Sequence, residues 1–216
     1  MTVQVKICGL REAAAVAAVV ANGANYAGFV FYPPSPRAIE PSIAAALIAQ
    51  LPPAVIPVGL FVDPTDDELV ATLRLAPLRM IQLHGSETPQ RVETVKQFTG
   101  LPVIKAVGIA AAQDIATAKQ YEAVADMLLL DAKPQSGQLP GGNAARFDWS
   151  LLEKGGFAHS WMLAGGLTPD NVTEALAATK APILDVSSGV ENAPGCKSPA
   201  KIKAFLENVR RFETCC

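Results

Sequence analysis

The chain has 216 residues, half of them hydrophobic and 18% charged, with a formal net charge of −2. That length suits one domain with a large core, and the hydrophobic content excludes long disordered tracts. The near-neutral balance excludes a general attraction to nucleic acid or to an anionic membrane surface, while leaving room for a local basic pocket.

Short apolar runs rich in Val, Ile, Leu and Phe recur along the chain, each followed by a helical pattern, as parallel strands covered on both faces require. The first strand spans residues 3–8. Its helix covers 11–22, with Val16, Val19 and Val20 at helical spacing and Gly23 as the stop. A second strand, 26–31, leads to a helix at 41–50 that opens on Pro41, where a missing N–H costs nothing. Strand 55–62 precedes helix 66–75, and strand 80–83 precedes helix 89–98, closed by Gly100. Strand 103–107 precedes helix 112–123. Strand 127–130 runs into a Gly/Pro-rich loop from 131 to about 146 and a short helix near 149–153. Strand 160–163 precedes helix 169–178, after the start signal Leu167-Thr168-Pro169-Asp170, and strand 183–186 precedes helix 199–211. Eight strand–helix units predict one TIM (β/α)8 barrel over residues 1–211, with 212–216 as a tail. An open doubly wound sheet is the main alternative; it would need a clear switch point and usually has fewer strands.

Such a barrel carries its active site at the C-terminal ends of the strands. Polar and glycine residues crowd that rim: Lys6-Ile7-Cys8-Gly9, Pro33–Arg37, Gln82-Leu83-His84-Gly85, Asp131, Gly165-Gly166 and Asp185-Val186-Ser187-Ser188-Gly189. The two last groups follow the seventh and eighth strands, where barrels often seat a phosphate on backbone N–H groups; the alternative is a pair of ordinary turns. Cys8 reads either as a small buried hydrophobe or as a base or nucleophile. The second reading needs nearby positive charge or peptide dipoles to favour the thiolate, and Lys6 shares its face of the strand. Asp131 is a cap for backbone groups or, if partly buried, a general acid. Arg37 is a solvated arginine or a bidentate carboxylate clamp. His84 reads as a catalytic group or, the preferred reading, a satisfied rim histidine, and His159 belongs to the opposite rim. With two histidines so placed and no paired cysteines among Cys8, Cys196, Cys215 and Cys216, no metal site is expected. The cysteine usage suits a reducing compartment, and the start MTVQVKICG carries no targeting pattern, so a cytoplasmic location is expected.

The segments KICGLR, FVFYPPSPR, GLFVD, IQLHGSE, LLLDA, LPGG…FDW, LAGGLTPDNV and LDVSSGVE fall in order over residues 6–192. Together they resemble the phosphoribosylanthranilate isomerase family. The resemblance implies a cofactor-free Amadori rearrangement of N-(5′-phosphoribosyl)anthranilate to 1-(2-carboxyphenylamino)-1-deoxyribulose 5-phosphate, the third step of tryptophan biosynthesis from chorismate. It implies Asp131 as general acid and Cys8 as general base, with Arg37 on the anthranilate carboxylate. Gly166, Ser188 and Gly189 fall in the phosphate cradle, and Asp185 positions the substrate. The implied partner is a small phosphosugar, with neither nucleic acid nor membrane, and a monomer is the expected assembly. One departure stands out: where the family commonly reads GGTG or GGSG before FDW, this chain has Gly141-Gly142-Asn143-Ala144. Two related barrels fit less well. An epimerase needs metal-binding histidines and aspartates at several strand ends. An indole-glycerol-phosphate synthase needs a lysine–glutamate set, and Lys105 has no evident glutamate partner. A barrel that binds a phosphorylated metabolite without turnover is the non-enzyme alternative.

Overall fold

A computed structural model describes residues 2–133, 146–152, 155–158 and 160–215. Among them, eight parallel strands pair in chain order and close into a barrel: β1 (Gln4–Cys8), β2 (Tyr26–Val30), β3 (Ile56–Phe61), β4 (Met80–Leu83), β5 (Val103–Ile109), β6 (Met127–Ala132), β7 (Trp161–Leu163) and β8 (Ile183–Val186). Closure is made by β1, which pairs with both β2 and β8. The outer ring holds α1 (Ala13–Ala21), α2 (Pro41–Ile48), α3 (Asp66–Leu75), α4 (Pro89–Thr99), α5 (Ala112–Lys119), α6 (Val172–Thr179) and α7 (Pro199–Cys215). None of these helices is long and apolar enough to cross a membrane.

Local chemistry sets the helix ends. Thr65 accepts from the Glu68 N–H while the Glu68 carboxylate accepts from the Thr65 N–H, a reciprocal cap that starts α3. Thr88 and Pro89 start α4 in the same spirit, and Gly100 stops it at φ +67°, a left-handed conformation that suits glycine.

Burial on both strand faces yields two cores. One lies between barrel and helices, where Ile7, Phe29, Leu83, Leu128 and Leu184 pack with Val16, Val19, Val92 and Phe205. The other fills the barrel itself with Tyr26, Val58, Met80, Ile104, Met127, Leu129, Met162 and Ile183. Side chains alternate faces along a strand, so the inward series can be followed upward. Leu129 is followed by Asp131, Ile183 by Asp185, and Met80 by Gln82. The lower interior is a stack of apolar side chains, and its upper end turns polar.

Several boundaries differ from expectation. Six consecutive residue pairs join β5 to β6, so Asp131 lies inside a strand opposite Gly108 rather than opening a loop. The sixth helical segment is a single 3₁₀ turn, Trp149–Leu152. The start of α6 slips to Val172 because Asn171 Oδ1 accepts from the Thr168 N–H, closing a turn over residues 168–171. The last helix continues through 212–215, the stretch read as tail. A small antiparallel pair, β9 (Glu191–Ala193) and β10 (Cys196–Lys197), was not anticipated, since strands of two or three residues carry no periodicity. Gly141, Gly142, Asn143, Ala144, His159 and Cys216 lie outside the described residues, as does the side chain of Cys215.

Candidate functional site

At the top of β1 and β8, register sets Lys6 opposite Asp185, and the Lys6 ammonium donates to Asp185 Oδ1 at 2.8 Å. Lys6 is fully buried and Cys8, two residues on, is 4% exposed. Gly28 pairs with Cys8 on β2. A Cβ there would stand 3.0 Å from the Cys8 sulfur and 3.2 Å from the Lys6 nitrogen, so the thiol and the ammonium converge over a position that has no side chain. Burial pushes the Cys8 thiol up; Lys6 and Lys197 pull it back, while Asp185 adds to the rise. For Lys6, burial opposes the charge, but Asp185 and Cys8 outweigh it and hold the ammonium above its ordinary range. Lys6 is thus a charged ammonium paired with Asp185, beside a thiol whose proton burial helps to retain.

Across the mouth, Asp131 is 7% exposed. It sits on β6, which is separated from β1 by β7 and β8 on one side and by β2 to β5 on the other. Its Oδ1 accepts from the Ala132 N–H at 2.8 Å, and His84 Nε2 lies 3.3 Å from Oδ2. Gln82 Nε2 lies 2.9 Å from His84 Nδ1. If that amide donates, Nδ1 accepts and the imidazole carries its proton on Nε2, toward Asp131. The rim histidine is satisfied, as expected, and one of its partners is the candidate acid. Gly165, at φ +86°, lets the turn after β7 pass close: a Cβ there would meet Ala132 N at 2.7 Å and Asp131 Oδ1 at 3.1 Å.

Arg37 is 9% exposed rather than solvated. Gly9, at φ +81°, clears its path, since a Cβ there would stand 2.8 Å from Arg37 Cδ. The guanidinium is held by Glu191, with Nε to Oε1 at 2.9 Å and Nη2 to Oε2 at 2.8 Å. Lys197 donates to the same Oε1 at 2.6 Å, from the neighbouring strand of the small hairpin. Burial works to raise the Glu191 carboxyl, but Arg37 and Lys197 prevail and hold it below the usual carboxylate range. Sequence reasoning missed Glu191 and Lys197 as site residues. Glu191 closes the segment LDVSSGVE, which was the one available signal; Lys197 had none.

The turns after β7 and β8 are half-buried and interlocked. A Cβ on Gly189 would lie 1.8 Å from the Leu167 carbonyl oxygen, so only glycine fits. Gly166 sits at φ +61°, its carbonyl held by the Asn171 amide at 2.8 Å. Ser187, before Ser188, donates its hydroxyl to the Cys8 carbonyl at 3.1 Å, which ties this turn to the end of β1.

One expectation is corrected. Lys105 does have a glutamate partner: Glu87 Oε2 at 2.6 Å, with the Gly85 carbonyl at 2.7 Å. The pair is distant in sequence, which hid it. Strand alternation turns Lys105 outward, away from the inward-facing Ile104 and Ala106, so it braces the turn after β4 against Tyr121 instead of reaching the mouth. A cavity of about 660 Å³ also opens beside the ends of β2 and β3, between Phe31, Tyr32, Phe61 and Pro64. None of Cys8, Arg37, Asp131 or Asp185 lines it. Among the described residues no group of three or more His, Cys, Asp or Glu side chains is placed to hold a metal ion.

The chain has known relatives. The family model described as N-(5′-phosphoribosyl)anthranilate (PRA) isomerase matches residues 5–208. The N-(5′-phosphoribosyl)anthranilate isomerase of Paracoccus denitrificans is 58% identical over 207 residues, covering 95% of this chain and 96% of that protein. A phosphoribosyl anthranilate isomerase solved in complex with reduced 1-(o-carboxyphenylamino)-1-deoxyribulose 5-phosphate superposes with a TM-score of 0.85 at 35% identity, covering 97% and 99% of the two chains. Monomers generated from the dimeric isomerase of Thermotoga maritima give 0.83 at 34%, with the same coverage. On the family match and the identity along nearly its whole length, the chain belongs to the N-(5′-phosphoribosyl)anthranilate isomerase family.

Proposed function

We propose that this isomerase of tryptophan biosynthesis divides its proton transfers between two flanks of the barrel mouth, with Asp131 as general acid and Cys8 as general base. The substrate is N-(5′-phosphoribosyl)anthranilate. Asp131 gives its proton to the ribose ring oxygen as the C1′–O bond breaks, and the anthranilate nitrogen supplies the electron pair that forms a protonated imine. The Cys8 thiolate then removes the C2′ proton. The electrons released form C1′=C2′ and neutralise the nitrogen, giving an enolamine, which tautomerises to the ketone. The imine is its own electron sink, so the residues need only move protons.

The observation that carries this reading is placement. Cys8 and Asp131 are both inward-facing, both at the upper end of their strands, and on well-separated strands of one closed barrel. Asp185 positions Lys6 under the thiol, which sets the charge the reacting carbon meets. Gly166, Ser188 and Gly189 form the phosphate cradle, a role supported by the close packing of their two turns. The test is the loss of anthranilate-adduct fluorescence with purified protein. Binding without decay would mean a metabolite-binding barrel and end the enzymatic reading.

Arg37 takes the anthranilate carboxylate. Arg37→Ala is expected to raise KM by about tenfold or more, the scale of one lost charge-assisted bidentate contact, while kcat falls less. Initial rates across substrate concentration decide it, and an unchanged KM refutes the clamp.

A monomer is the assembly we propose. Among the described residues, the large exposed apolar side chains Ile43, Leu75 and Phe98 stand one each on α2, α3 and α4. Light scattering is expected to return the mass of one chain at micromolar concentration; twice that mass would overturn the assignment.

A further inference from the structure

Arg37 does not face a substrate carboxylate alone. Glu191 holds its Nε and Nη2, and Lys197 holds Glu191 Oε1. The Lys197 ammonium also donates to the Ser187 carbonyl at 3.1 Å and hydroxyl at 3.2 Å, and Ser187 in turn donates to the Cys8 carbonyl. Lys197 and Glu191 are 4% and 7% exposed. Among the described residues this cluster holds two cations and one anion, and it joins the Arg37 loop to the turn beside the base.

We infer that Glu191 and Lys197 are positioning residues for the substrate carboxylate. Glu191 fixes the plane of the Arg37 guanidinium, and Lys197 anchors Glu191 so that it does not move when a second carboxylate arrives. The inference rests on Arg37 being the carboxylate clamp and deepens that reading. One physical argument supports it. An arginine side chain loses much rotamer freedom on binding, and one already held by a bidentate partner has lost it beforehand.

A competing arrangement predicts the reverse. If Glu191 merely occupied the fork, removing its charge would free Arg37 and tighten substrate binding. The two are separable with a pair of dead-end ligands: reduced 1-(2-carboxyphenylamino)-1-deoxyribulose 5-phosphate and its phenylamino counterpart lacking the carboxylate. Titration calorimetry on the full chain gives the preference for the carboxylated ligand. Glu191→Gln is expected to cut that preference about tenfold, with affinity for the carboxylate-free ligand held, because a neutral amide cannot pair both cations. In an Arg37→Ala background Glu191→Gln is expected to have no further effect, since it acts through Arg37.

An unchanged or increased preference in Glu191→Gln overturns the inference, as does a full additional loss in the Arg37→Ala background. If Arg37→Ala itself keeps the preference, the clamp falls, and the inference with it. The carboxylate-free ligand reports whether each variant retains a folded site. Should Glu191→Gln not fold, Lys197→Met serves: it leaves the Arg37–Glu191 pair intact but unanchored. A preserved preference there equally overturns the inference.

Discussion

Asp131→Ala is expected to lower kcat by about a hundredfold or more, the usual contribution of a positioned general acid, with the barrel still folded. Ring opening makes a poor leaving group of an alkoxide, and only protonation relieves that. On the proposed reading the Asp131 carboxyl gives that proton; in the free protein it accepts from the Ala132 N–H and lies 3.3 Å from His84 Nε2. Truncation leaves both donors without their acceptor. Both are largely buried, so the loss in stability is about 1–3 kcal/mol for such groups. Asp131→Asn separates the chemistry from the packing: it keeps size and an acceptor but has no acidic proton, and should be as slow as the alanine variant. Stopped fluorescence under saturating substrate gives kcat, and circular dichroism gives the fold. Near-normal turnover in either variant removes Asp131 from its role.

Cys8→Ala is expected to lower kcat to a similar degree, again about a hundredfold or more. Cys8→Ser should not restore it, because a hydroxyl ionises far less readily than a thiol. The pH dependence follows from the direction of the thiol's shift. Burial raises it, so the resting free enzyme carries its proton, and the reactive thiolate fraction grows as pH rises. The expected result is a kcat/KM that climbs through neutral and mildly alkaline pH. In kcat the same rise should fall at lower pH, because the protonated imine brings a positive charge beside the sulfur in the bound state. A flat profile in both parameters, or a normal rate in Cys8→Ala, would remove the thiolate from the mechanism.

Much of the architecture was legible because the apolar runs have both faces buried and the breaks between them carry glycine or proline. The strands at 80–83 and 183–186 and the helix at 66–75 match residue for residue. Errors arose where structure depends on partners far along the chain. Asp131 follows the apolar run 127–130, where the pattern predicts a loop; pairing with Gly108 extends the strand past it. Glu87 and Lys105, 18 positions apart, gave no local sign of an ion pair. Glu191 and Lys197 meet only because a hairpin folds back over the turn after β8. The inward-facing set was easier, since period-two alternation turns Cys8, Asp131 and Asp185 toward the barrel interior once the barrel is accepted.

The contact between Gly189 and the Leu167 carbonyl has a consequence for engineering. Two segments that meet backbone to backbone, with no room for a methyl group, behave as a single cast part. Grafting one of them alone from another barrel would jam against the resident neighbour, whereas moving both as a cassette would carry their fit along. Recombination between isomerases should accordingly tolerate crossovers before Leu167 or after Val190 far better than crossovers between them.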